Sequence, residues 1–258
     1  MTDNHLVHID LNADLGESFG AWTMGDDLAL LDIVTSANIA CGFHAGDPLT
    51  MTRTVAAALD RGVTVGAHVS YRDLAGFGRR FVDAGEDELR ADILVQLAAL
   101  DGVCRAAGGQ VSYLKPHGAL YHAAGHYEPH ARSIIAAIAA YNCSITILGM
   151  PGSRLLALAA EAGLSTATEA FADRGYRADG ALVPRGEPGA VLHDPQEIAT
   201  RVVGIVRSGA VPSVEGTAVT VRADSVCVHG DTPGAVAIAR AVRAGLEQAG
   251  VIIRGFGR

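Results

Sequence analysis

Acidic, imidazole and amine side chains recur in this sequence at the ends of short apolar runs. Asp14 and Glu17 flank Gly16 after the first run, and Asn38, Cys41, His44 and Asp47 follow the second. His68, Ser70, Tyr71 and Arg72 close a third, and Lys115, His117, Tyr121 and His122 a fourth. Later runs lead into Glu169, Asp173 and Arg174, and into His229 and Asp231. Two carboxylates as close as Asp14 and Glu17 need a cation or a shared proton if both are buried. Lys115, the only lysine, precedes Pro116, which fixes the backbone there, and burial favours pairing it with an anion. Such groups supply general acids and bases and charges for electrostatic catalysis. They point to an enzyme whose site holds carboxylates, imidazoles and one amine.

Several of these positions have plainer explanations. His68 is as readily a satisfied structural histidine, and Cys41 more readily a small buried residue than a nucleophile. Asp47 and Asp231 each stand just before a helical run, as N-caps do. Tyr121 and His122 could begin a helix and simply pack. Familiar signatures are absent: the sole lysine is followed by proline, so there is no P-loop, and neither G-x-G-x-x-G after a strand nor H-E-x-x-H occurs. Gly16-Glu17-Ser18-Phe19-Gly20 matches G-x-S-x-G, but a nucleophile elbow must pass straight into a helix, and here the next helical run starts only near Asp26.

What positions these groups is an alternation of short strand-like runs with longer amphipathic ones. Strands are predicted at 8–12, 35–40, 63–69, 111–115, 144–148, 165–170 and 225–228. Helices are predicted at 48–61, 86–107, 129–141, 153–162, 195–208 and 233–249, several opened by Asp-Pro or Asp-Thr-Pro. Strand then helix, repeated, means a parallel sheet with helical crossovers. The α/β fold expected is a closed (β/α) barrel of about seven parallel strands, with a doubly wound open sheet as the rival. No linker or repeat divides 1–258, so one barrel domain is expected. In such a barrel chemistry sits on the loops after the strands. Seven of the ten histidines fall there: His44, His68, His117, His122, His126, His229 and His193. Two irregular stretches, 75–83 and 171–189, are candidate functional loops.

The 258 residues are 49% hydrophobic and carry a net charge of −8. That excludes wholesale disorder, and, with arginines scattered, a nucleic-acid surface. The N-terminal residues show no basic-then-apolar leader and no apolar stretch approaches a membrane span. The four cysteines form no C-x-x-C pair and read as reduced thiols, three of them core. A cytoplasmic protein without membrane contact is expected.

The runs 10–17 (DLNADLGE), 38–48 (NIACGFHAGDP), 66–71 (GAHVSY), 114–121 (LKPHGALY), 169–174 (EAFADR) and 228–231 (VHGD) resemble the LamB/YcsF family over essentially the whole chain. The resemblance implies a barrel related to the glycoside hydrolase and polysaccharide deacetylase barrels. It implies the role of the A subunit in a 5-oxoprolinase that opens 5-oxo-L-proline to L-glutamate, with ATP as co-substrate and subunits B and C as partners. Opening an unstrained lactam needs its carbonyl activated, and this chain has no recognisable ATP loop. The expected division of labour is that the partners phosphorylate the lactam and this barrel adds water to the activated intermediate.

On that footing Asp14 is the candidate general base or a metal ligand, and Lys115 neutralises phosphate or carboxylate or polarises the carbonyl. His117 and His44 are candidate acids or oxyanion donors, with Glu17 positioning Lys115 or a histidine. His68, Arg79, Glu169, Arg174 and His229 are the candidate substrate-binding residues. A divalent metal is left open: Asp14, His44 and His68 could supply the Asp and two His of the deacetylase barrels, yet a lysine would repel the ion. Two other functions compete. A stand-alone metal-dependent amide or N-acetyl hydrolase would turn over without ATP, although one Trp is thin for a sugar cleft. A scaffold subunit would tolerate loss of Asp14 or Lys115.

Overall fold

The structure, a computed structural model, describes residues 7–230 and 234–255. Six strands alternate with helices: β1 (His8–Leu15), β2 (Ser36–Ala40), β3 (Thr64–Val69), β4 (Tyr113–Pro116), β5 (Thr146–Gly149) and β6 (Thr166–Phe171). A short antiparallel hairpin, β7 (Ala210–Pro212) and β8 (Ala218–Thr220), precedes β9 (Ser225–Val228). Strands β1 to β6 pair in parallel in sequence order, β6 pairs with β9, and β9 returns to β1, closing a seven-stranded barrel. β10 (Ile252–Ile253) adds to the start of β1. All seven predicted strands are barrel staves, and the open-sheet rival falls with the β9–β1 ladder.

The outer layer is α1 (Asp27–Leu31), α2 (Pro48–Asp60), α3 (Glu86–Ala106), α4 (Gly118–His126), α5 (Glu128–Tyr141), α6 (Arg154–Glu161), α7 (Pro195–Ser208) and α8 (Ala235–Gln248). Asp47 caps α2 by accepting from Leu49 and Thr50 N–H, and Asp194 caps α7 in the same way. Asp231, with the expected start of the last helix at Pro233, lies outside the described residues. The additional helix α4 contains Tyr121 and His122; its first residue, Gly118, has φ +52°, an unusual helix opening that concealed it. The 171–189 stretch has no helix. It is held by isolated bridges Arg174–Val191 and Tyr176–Leu182.

Strand alternation sorts side chains into two cores. The helix-facing positions Ile9, Leu11, Ala13 and Leu15 of β1 join Ala37, Ile39, Val65, Ala67, Val226 and Val228 in one apolar cluster. The alternate positions of β1 are Asp10, Asn12 and Asp14, so the barrel interior is polar. Asp10 accepts hydrogen bonds from Thr35, Ser36 and Ser225; Asn12 donates to Ser225 Oγ at 2.6 Å; Asn38 donates to Asn12 Oδ1 and to Asp14 Oδ1, both at 2.7 Å. Tyr113 lies across Gly66, where a Cβ would stand 2.2 Å from its ring, and donates its hydroxyl to Asn38 Oδ1 at 2.6 Å. One hydrogen-bonded column thus runs from Asp10 to Asp14 and fixes Asp14 from below.

Burial pushes the Asp10 carboxyl up to about 6, against the hydroxyl donors that favour its charge. The folded state therefore holds this proton more tightly than the unfolded chain. The resulting stability is fully present below the unfolded value near 3.8 and is lost as pH rises through 6. Chemical denaturation at pH 4 and pH 7 should show a contribution of about 2 kcal/mol that vanishes in Asp10→Asn. An unchanged pH slope in that variant would contradict the assignment.

Candidate active site

Five of the seven staves, β1, β3, β4, β6 and β9, carry Asp14, His68, Lys115, Glu169 and Cys227 to the same end of the barrel. Register sets His68 beside Lys115 and Asp14 beside Asn38. Lys115 Nζ stands 3.1 Å from Asp14 Oδ1, 3.1 Å from Cys227 Sγ and 3.1 Å from Glu169 Oε2, the last an ion pair without hydrogen-bond geometry. All four residues are buried. Burial works against the ammonium, but the Asp14 and Glu169 carboxylates outweigh it and hold Lys115 well above its ordinary value. Burial likewise works to raise the Asp14 carboxyl, and the Lys115 ammonium overcomes it and holds it well below. Asp14 and Lys115 are therefore a charged pair at neutral pH. Burial raises the Cys227 thiol, so it sits beside the ammonium as a neutral thiol.

Three imidazoles stand next to this pair. His68 Nε2 lies 3.4 Å from Asp14 Oδ1 and 3.0 Å from His117 Nδ1. His44 stacks on His117 with centroids 3.7 Å apart and places Nε2 3.1 Å from Glu17 Oε1. Glu17 thus positions histidines and not the lysine. Burial, then the neighbouring imidazoles, hold His44 and His117 well below the ordinary histidine value, so both are neutral. Gly78 makes this packing possible: at φ +64°, a Cβ there would stand 2.7 Å from His117 Cδ2 and 2.9 Å from His44 Cβ. Gly78→Ala is expected to cost about 2 kcal/mol or more by strain and overpacking. It should also cut activity well beyond that loss, by displacing both rings. Thermal melts with a kinetic assay check it; wild-type behaviour in both would refute the packing argument.

Asp14, Glu17, His68, Lys115, His117 and His229 line a cavity of about 600 Å³, with Arg79 and Arg174 at its side. His229 is fixed by Asp173, which accepts at 2.8 Å, and stacks on Phe171. Arg79 is exposed and lies over the Phe77 ring. Arg174 is buried and donates to the carbonyls of Ala190 and Val183, so it ties the irregular loop together as well as facing the cavity. His122 and His126 line the same cavity; His193 does not. Ser18 is no nucleophile elbow: its Oγ accepts from Met24 N–H at 2.9 Å and staples a loop. Sequence reading missed Cys227 as a partner of Lys115, and Phe77 and Arg185 on the loops. Cys227 had a signal, its place at the end of a barrel strand.

The residues able to hold a metal ion group differently from the expected Asp14, His44 and His68. Glu17, His44, His68 and His117 each offer a ligand atom within 4.8 Å of the others, while Asp14 groups with Cys227 and His229. Asp14 Oδ1 also accepts from Lys115 and Asn38.

The LamB/YcsF family model matches residues 9–258. The chain belongs to the LamB/YcsF family. Within this family it is 56% identical to the 5-oxoprolinase A subunit of Paracidovorax citrulli, over 97% of this chain and 100% of that one. The lactam utilization protein from Thermus thermophilus superposes with a TM-score of 0.92 at 43% identity, covering 96% of this chain and 100% of that one. Beyond the family, the T48 deacetylase shares the fold alone, with a TM-score of 0.51 at 13% identity over 96% of this chain and 87% of that one. This chain and that deacetylase thus share a barrel fold, as the sequence led one to expect. Among the described residues no helix is long and apolar enough to cross a membrane.

Proposed function

We propose that this chain is the A subunit of a cytoplasmic, ATP-dependent 5-oxoprolinase, a single barrel that hydrolyses the lactam of 5-oxo-L-proline after partner subunits B and C have activated it. The observation that carries this reading is the Lys115 ammonium, held by Asp14 and Glu169 in a cavity with two arginines beside it. That arrangement accepts a small, doubly anionic substrate: a carboxylate and a transferred phosphate. The relatives named for 5-oxoprolinase and lactam use support the same substrate class.

The partners use ATP to phosphorylate the lactam oxygen. In the barrel, water adds to the activated carbon, with Asp14 as the base. The C–N bond then breaks, its electron pair and a proton going to nitrogen. A second water releases phosphate and leaves the carboxylate of L-glutamate. Lys115 neutralises the charge developing on oxygen. His229, with Nδ1 on Asp173, leaves Nε2 to protonate the departing amine. Arg79 and Arg174 hold the anionic groups, and Glu169 keeps the ammonium in place. Glu17, His68 and His117 form the second wall of the cavity, with His44 packed behind them.

The test mixes the purified chain with subunits B and C, ATP and 5-oxo-L-proline, follows glutamate, and omits each component in turn. Glutamate is expected only from the full mixture. Undiminished glutamate without this chain would overturn the reading. Turnover of simple amides or N-acetyl sugars by the chain alone would replace it with a metal-dependent amide hydrolase.

A further inference from the structure

The hydrogen bonds around His68 and His117 fix where their hydrogens are. His68 Nδ1 meets the Lys115 carbonyl at 3.0 Å, and His117 Nε2 meets the Phe77 carbonyl at 2.8 Å. A carbonyl oxygen only accepts, so both outward nitrogens carry hydrogen. The two inward nitrogens, His68 Nε2 and His117 Nδ1, then face each other at 3.0 Å as bare lone pairs. Glu17 Oε1 lies 3.6 Å from His117 Nδ1, adding a third electron-rich atom. Only a positive centre makes that meeting favourable: a proton trapped between the rings, or a metal ion.

We propose that Glu17, His68 and His117 bind one divalent first-row ion of the zinc or cobalt kind, with the remaining coordination position open to the cavity. Four observations favour the ion over the proton. Bonds of about 2.0–2.1 Å to a tetrahedral ion set ligand atoms roughly 3.3 Å apart, and the two separations here bracket that value. An outward N–H given to a backbone carbonyl is how proteins orient metal-binding imidazoles. His44 supplies the same service to the carboxylate: a carboxylate oxygen only accepts, so His44 Nε2, 3.1 Å from Glu17 Oε1, carries its hydrogen on that side, and Ser70 Oγ, 3.0 Å away, serves Nδ1. His44 is therefore a positioning residue; stacked parallel on His117, it could not share an ion lying in both ring planes. Lastly, the backbone is distorted to present the His117 partner. Phe77 is the one non-glycine residue with positive φ, +54°, among the described residues, and its carbonyl receives His117.

Lys115 does not forbid the ion. Asp14 Oδ1 contacts both the ammonium and His68 Nε2, so a carboxylate is interposed. Two imidazoles and a carboxylate suit a borderline ion better than magnesium or calcium. Bound there, it would supply Lewis-acid polarisation or a more acidic water.

The proposal is independent of the lactam reading and is tested without substrate. The full-length chain is freed of metal by chelation and dialysis, then titrated calorimetrically with Zn²⁺ and Co²⁺. One ion per chain is expected, with visible Co²⁺ bands of low-coordinate type. Glu17→Gln and His117→Ala should each weaken binding about 100-fold, while His122→Ala, at the cavity but outside the group, keeps it. Near-ultraviolet circular dichroism verifies folding; should His117→Ala fail to fold, Glu17→Gln and His68→Asn decide. No saturable binding of either ion up to about 1 mM, a range in which a site of this donor set must fill, would overturn the proposal. So would binding that survives Glu17→Gln and His68→Asn.

Discussion

Lys115→Met is expected to abolish glutamate formation by the reconstituted enzyme and to lower the stability of the chain by about 3–5 kcal/mol. The stability loss follows from what remains behind. Asp14 and Glu169 are both buried and both within 3.1 Å of Nζ. Methionine fills the space of the lysine stem but leaves two carboxylates without their shared cation. They must then take up protons, so the variant should be least unstable at acid pH and lose stability as pH rises. That is the sign for carboxyls whose folded values have moved up. Catalysis should fall about 10³-fold or more, because the ammonium proposed to neutralise the developing oxyanion is gone. Lys115→Arg should not rescue it: a planar guanidinium cannot occupy the point where Asp14, Glu169 and Cys227 converge on one small ammonium. Denaturation at pH 6 and 8, with glutamate assays in the full complex, reads both effects. Retained activity in Lys115→Met would refute the proposed role and favour a scaffolding role for the chain.

The strands were legible because each carries its own alternation. In β1 the apolar residues Ile9, Leu11, Ala13 and Leu15 face the helices, and the polar ones between them face inward. That Asp14, Lys115, His68 and His229 would share one rim followed from strand order and from the rule placing chemistry after parallel strands. Their pairings did not follow. Lys115 meets Asp14 across 101 residues and Cys227 across 112, and such contacts depend on the stagger at which β9 closes on β1. Cys227 read as an ordinary core thiol because its one mark, a place at the end of a barrel strand, does not name its partner. The split of the histidines between Asp14 and Glu17 was equally hidden. It depends on Phe77, whose left-handed backbone lies in an irregular loop with no periodicity to read. Helix α4 was obscured by its glycine start, which propensity counts against a helix, although packing on α5 and α6 sustains it.

Asp14→Asn is the second large effect and the more discriminating one. The amide keeps the shape of the carboxylate, and its oxygen can still accept from Asn38, so the column from Asp10 upward survives. What disappears is the negative charge touching both Lys115 and His68. Glutamate formation should drop about 10³-fold, as for loss of a positioned base or charge, while Lys115 keeps Glu169 and the fold persists. The stability cost should be smaller than for Lys115→Met, about 2 kcal/mol, and its pH dependence has a fixed sign. Asp14 is held well below the ordinary carboxylate value in the folded chain. Its stabilisation is thus present above the unfolded value near 3.8 and is lost as pH falls toward the folded one. Wild type and variant should therefore differ fully at pH 7 and converge on acidification, the reverse of the slope expected for Asp10. Opposite slopes from two carboxylates on one strand, two alternations apart, would show that their surroundings set their charge: burial without a cation below, an ammonium above. A variant that loses activity yet differs from wild type by the same amount at pH 3 and pH 7 would mean that Asp14 does not act through its charge on Lys115.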